Sequence, residues 1–188
     1  MSKISGGPTA ADTQHALHPW SPHRIHHAFT TGTVSRNLYI VLSIAFAIRL
    51  AIALMPAAWL DGFICDDAYY YFSIANTMQG GIFPSADGGI TQTNGFHPLW
   101  LALISPFWIF GGGWLPIRLT MITAALLDTV AGFMLFRLTN KLYGVRVAMI
   151  LAGVYLFNPM SIIQTMSGLE TPLNSLLIVL LLAVVYDR

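Results

Sequence analysis

Five apolar runs, at residues 38–60, 98–111, 115–138, 147–166 and 173–186, constrain this chain more than any other feature of its sequence. About 20 apolar residues in a helix cross a hydrocarbon core of about 30 Å. Inside lipid every backbone polar group must find a partner within the protein, so runs of this kind fold as helices. Only 9% of the residues are charged, against roughly a quarter in a soluble domain. The expectation is an all-α integral membrane fold with four transmembrane helices, at 38–60, 115–138, 147–166 and 173–186.

The run 98–111 is the difficult one. Counted as a span, it would put Arg137, Lys141 and Arg146 on the side opposite the basic amino-terminal segment with Lys3, Arg24 and Arg36. The positive-inside rule disfavours that. Laid along the interface, the run leaves all six basic residues on one side, and Pro106, the glycines at 111–113 and the tryptophans suit such a segment. No Lys or Arg occurs from residue 51 to residue 117, as expected of an outer loop. The amino terminus is therefore placed in the cytoplasm, and the loop 61–114, with interfacial helices near 66–79 and 98–111, on the outer face of a cell inner or plasma membrane. The short connection 167–171 faces the same side.

Residues 1–37 are polar and rich in Gly, Pro, Ser, Thr and His, and read as a disordered cytoplasmic tail. His15, His18, His23, His26 and His27 match no metal-ligand spacing. A formal net charge of +1, with no dense basic cluster, gives no nucleic-acid footprint. One cysteine, Cys65, excludes an internal disulfide. The chain stops as its fourth span ends, and reads as the amino-terminal part of something larger or as a truncated gene.

Against this apolar background, "ICDDAYYYFSIANTMQGG" (64–81) places two aspartates side by side. Tyr71, Ile74, Ala75 and Met78 follow at helical spacing, and Gly80-Gly81 ends the pattern. Asp66 or Asp67 can cap this helix and favour its dipole. The other reading projects one carboxylate into a cavity at the membrane surface, as a general base or as a ligand for a cation. Tyr70 and Tyr71 lie one turn further along and reach the same place, or serve as interfacial-belt tyrosines. Asn94-Gly95 is a strong turn signal. His97, entering 98–111, is the one side chain of the outer loop able to carry positive charge, which favours an anion contact.

Glu170, in "QTMSGLETPLN" (164–174), is the single glutamate of the chain. It reads either as an acid ahead of a helix starting near Pro172 or as a third carboxylate for one outer site. Arg49 and Asp128 each fall near the middle of an apolar run. Unpaired, each would cost at least ~2.5 kcal/mol at the bilayer centre, so a structural ion pair is expected, with a transport or proton-relay role as the alternative. Arg118, at the outer end of its run, could meet a lipid phosphate.

With Asp66-Asp67, "AYYYFSIANTMQGG", "TNGFHPLW" and "SGLETPL" together, residues 38–186 resemble the amino-terminal portion of a GT-C-fold glycosyltransferase. The resemblance is to the polyprenyl-phosphate-sugar-dependent enzymes that include protein O-mannosyltransferases and aminoarabinose transferases. It implies inverting transfer of a sugar from a polyprenyl-phosphate donor to a lipid, glycan or protein acceptor. Asp67 or Asp66 would be the base, and Tyr70, Tyr71, Asn94, His97, Arg118 and Glu170 would bind substrate. Asp67 and Glu170 would also hold a divalent metal (Mg, Mn or Zn), on which the family is divided. The rival readings are a small transporter or channel subunit, with Arg49 and Asp128 lining its path, and a non-catalytic scaffold.

Overall fold

A computed structural model of the chain describes residues 22–186, with side chains from residue 34 onward. His15 and His18 lie outside the described residues, as do the side chains of His23, His26 and His27. The chain divides into two units, 1–38 and 39–188, and the contacts given below belong to the second.

All regular structure among the described residues is helical. Helix α1 (Pro22–Ala53) begins with proline, whose missing N–H costs nothing in a first turn. Residues 22–37, expected as tail, are thus helical. At the other end α1 stops at Ala53, seven residues earlier than its apolar run. Pro56 cannot continue the hydrogen-bond ladder, and the chain restarts as the four-residue α2 (Ala57–Leu60) and a 3-10 turn at Asp61–Phe63.

Helix α3 (Asp66–Gln79) has the bounds its sequence pattern gives. Ile74 and Ala75 of that pattern are buried, joined by Ala68 and Phe72, while Tyr71 and Met78 are half-buried. The run 98–111 forms α4 (Pro98–Ile104) and a 3-10 segment, Ser105–Phe110, that packs on α3 through stacked rings of Phe72 and Trp108.

The long α5 (Trp114–Tyr143) is followed by α6 (Val145–Phe157), α7 (Pro159–Thr165) and α8 (Thr171–Tyr186). Among the described residues, two segments, Val34–Ala53 and Trp114–Tyr143, are long and apolar enough to cross a membrane. The count is three if α6 and α7, bent by 56° at their junction, make one broken span. The expected unbroken helix over 147–166 is corrected by that bend. Pro159 ends the ladder of α6, and the Asn158 side chain starts α7 by accepting the Met160 N–H at 2.9 Å. With 16 residues, α8 is only about 24 Å long at 1.5 Å per residue.

Helices α5 and α6 approach closely through small residues. A β-carbon on Gly132 would lie 2.6 Å from a Leu156 methyl, and Ala131, Ala148 and Ala152 are buried nearby. Large apolar side chains on these helices and on α8, including Leu126, Ile150, Val154, Ile178 and Leu181, stay exposed, as lipid-facing residues would be.

The mid-run charges form an ion pair, Arg49 Nη2 to Asp128 Oδ2 at 2.6 Å, with both side chains buried. Arg49 also donates to the Ala45 carbonyl at 3.1 Å, and Tyr155 of α6 donates to Asp128 Oδ1 at 2.6 Å. Three helices are tied by one buried polar knot.

Candidate functional site

The connection 166–170 carries the second acidic motif to the first. Cys65 N–H donates to the Ser167 carbonyl at 2.9 Å, and the Trp100 indole N–H donates to the Gly168 carbonyl at 3.2 Å. Gly168 has φ +86°, and a β-carbon there would lie 2.7 Å from that of Ala68. Only glycine satisfies both the left-handed backbone and that contact. The corner thus packs directly on the first turn of α3, with Glu170 immediately before α8.

Neither aspartate caps α3. The cap position belongs to Cys65, and Asp66 and Asp67 occupy the first helical turn, where the dipole favours negative charge. They face different hollows. Asp67, Tyr70, Tyr71 and Ile74 share one face of α3 and line a cleft of about 470 Å³ with Glu170, Leu169, Ala86, Thr93, Gly95 and Phe96. Asp66 lies with Tyr69, Tyr70 and Ser73 on a shallower neighbouring face.

Across the cleft the half-buried Tyr71 is the joint. Its hydroxyl donates to Glu170 Oε2 at 3.0 Å and accepts the His97 backbone N–H at 2.9 Å. Burial raises the Tyr71 pKa, the His97 N–H opposes that, and the Glu170 carboxylate adds to it, so the phenol stays protonated as a donor. Nδ1 of His97 is buried without a hydrogen-bond partner. Tyr69, outside the cleft, donates to Asp61; burial and that carboxylate push its pKa up to about 12.

The structure therefore brings together Asp67, Tyr70, Tyr71 and Glu170 of the sequence-derived set and sets His97 beside them through its backbone. It does not bring in Asn94, which is exposed between the lining residues Thr93 and Gly95. Nor does it bring in Arg118. That guanidinium donates to the Ala53 and Met55 carbonyls at 2.8 and 2.7 Å, satisfying the end of α1, which Pro56 leaves open. Asp67 and Glu170, the pair expected to hold a metal, both line the cleft; among the described residues no group of three or more His, Cys, Asp or Glu side chains could hold an ion.

Sequence reasoning missed the loop that walls the cleft. Asp87 Oδ1 accepts from Ser85 Oγ at 2.5 Å and from the Ile90 and Thr91 N–H groups at 3.0 and 2.9 Å, and Oδ2 accepts from Thr91 Oγ1 at 2.5 Å. Ser73 of α3 donates to the Ala86 carbonyl at 2.8 Å. The signal was present as Asp-Gly-Gly-Ile-Thr, a turn composition with an aspartate able to bond backbone two to four residues on.

The hydrogen bonds from Ser85 and Thr91 hold the Asp87 carboxyl well below the usual carboxylate range. A lowered folded-state pKa means that its contribution is complete above the ordinary Asp value and fades as pH falls through the folded value. Asp87→Ala is expected to speed amide exchange at Ile90 and Thr91 at neutral pH. In the parent chain those amides are expected to keep the protection that Asp87 gives them down to about pH 4.

No protein-family model, curated protein or solved structure matches the chain.

Proposed function

We propose that the chain acts as a membrane glycosyltransferase on a polyprenyl-phosphate sugar at the outer face of a cell membrane. The observation that carries this reading is the convergence of Asp67 and Glu170 in one cleft, although Tyr71 and its partner Glu170 are 99 residues apart in the chain. In this reading α1, α5, the bent α6–α7 pair and α8 are four spans, and α3 and α4 lie along the outer interface, where a long-chain lipid donor presents its headgroup.

Asp67 takes the proton of the acceptor hydroxyl or amine. The freed electron pair attacks the anomeric carbon, the carbon–oxygen bond to phosphate breaks, and the lipid phosphate leaves with both bonding electrons. Glu170, oriented by Tyr71, holds the acceptor. His97 offers positive charge to the departing phosphate.

Transfer by the chain, supplemented with any partner region it requires, would be measured in nanodiscs with radiolabelled donor. Asp67→Asn is expected to lower the rate about 10²- to 10⁴-fold, the range of general-base catalysis. Asp66→Asn, altering a group on the other face, is expected to retain most of it. Equal losses in the two variants would remove the basis for this assignment. Transport would instead depend on Asp128 and survive Asp67→Asn.

A further inference from the structure

A second hollow opens at the α6–α7 bend, on the other side of the 166–170 corner from the cleft. It measures about 190 Å³ and is lined from four helices by Asp128, Tyr155, Ser161, Gln164, Thr171 and Ser175, among others. Among the described residues lining it, every side chain except that of Met160 is polar. That is unusual company for α6, whose sequence is VRVAMILAGVYLF, and for α8, which is TPLNSLLIVLLLAVVY. The buried and half-buried ones, Asp128, Thr165, Tyr155, Ser161, Thr171 and Ser175, need hydrogen-bond partners, while Asn158 and Gln164 are exposed.

Part of that requirement is met internally. Tyr155 donates to Asp128, Thr165 donates to the Ser161 carbonyl at 2.7 Å, and Asn158 caps α7. Among the described residues, Ser161, Gln164 and Thr171 make no side-chain hydrogen bond of their own. They leave hydroxyls and an amide, each able both to donate and to accept, open to the hollow.

We propose that this hollow is a binding site for a neutral, polyhydroxylated group. Its charge balance selects the class. Asp128 is neutralised by Arg49 at 2.6 Å and lies almost wholly buried. An anion entering would meet that carboxylate, and a cation would meet the guanidinium behind it. A neutral polyol meets neither penalty and matches the mixed donors and acceptors of Ser161, Gln164 and Thr171. The volume would hold about six waters at ~30 Å³ each, enough for one ring-sized group but not for a lipid. The break between α6 and α7 is what makes room, as interrupted helices do where a membrane protein binds polar ligands at depth. The inference does not depend on the glycosyltransferase reading.

The test uses the chain with Cys65→Ser, so that one introduced thiol reports. Ser161→Cys and Ser175→Cys place it in the hollow, and Ile178→Cys places it on the exposed apolar face of α8. In nanodiscs a charged, water-soluble thiosulfonate should label the first two and spare the third. Methyl glucoside should slow labelling at both hollow positions in a saturable way, whereas inorganic phosphate and choline should not. Adding Gln164→Met should weaken that protection about tenfold, the value of one well-made hydrogen bond. Labelling that no polyol slows would overturn the proposal and leave a merely hydrated hollow. Equal protection by phosphate or choline would overturn its charge argument. Absence of labelling at both hollow positions would mean that the site is closed to polar ligands, which also overturns it.

Discussion

Asp128→Ala is expected to lose about 3–5 kcal/mol of stability, because it strands a fully buried guanidinium. Arg49 has 0% exposure in its side chain, and its partner carboxylate is only 3% exposed. The same substitution removes the acceptor of the Tyr155 hydroxyl. The expected observation is a large fall in the midpoint of thermal unfolding in detergent, followed by far-ultraviolet circular dichroism. Arg49→Met/Asp128→Leu should recover most of the loss, since apolar replacement of a whole buried pair is often neutral or stabilising by about 1–4 kcal/mol. A double variant as unstable as the single one would show that the charges do more than cancel each other.

Gly168→Ala is the second large effect. A left-handed backbone costs a residue with a β-carbon about 1–2 kcal/mol, and overpacking adds typically about 1–3 kcal/mol. Here the opposing atom is the Ala68 β-carbon, on the backbone of α3, so it has no rotamer by which to yield. The corner must lift, weakening the bonds from Cys65 and Trp100 and drawing Glu170 away from Tyr71. The expected result is a lower unfolding midpoint together with, on the proposed glycosyltransferase reading, weaker acceptor binding. Gly153→Ala, where a β-carbon meets open space, is the control and should leave both nearly unchanged. Normal behaviour of Gly168→Ala would contradict the packing of this corner.

How much of this could be read in advance depended on whether the controlling signal was local. Helix α3 was legible because charged residues open it, glycines close it and the spacing between is helical. The Arg49–Asp128 pair was legible because a lone charge in a long apolar run has few affordable states. Its third member was not, since a tyrosine such as Tyr155 is unremarked in a span until its neighbour is known. The break at Asn158-Pro159 was written plainly, but an apolar run on both sides masks a turn signal when hydropathy is averaged across it. Arg118 was expected at lipid phosphate because basic residues near the outer end of a span suggest it, whereas the structure shows it bonded to backbone. The competing demand, two helix-end carbonyls left open by Pro56, arises 62 residues earlier in the chain. Nor could an adjacent pair of aspartates reveal which one faces the cleft. Successive helical residues point about 100° apart, and the choice fell to whichever face met the 166–170 corner.

The seating of that corner on α3 also fixes a schedule for biosynthesis. Tyr71 and Glu170 are separated by 99 residues, so at about 5–20 residues per second the ribosome needs roughly 5 to 20 s to make the second after the first. Throughout that interval the acidic loop has emerged while its opposite wall does not yet exist. Chaperones and proteases would meet an open surface with Asp67, Tyr70 and Tyr71 uncovered. A nascent chain arrested before Gly168 should therefore be cut readily within 64–96, and one arrested after α8 should resist.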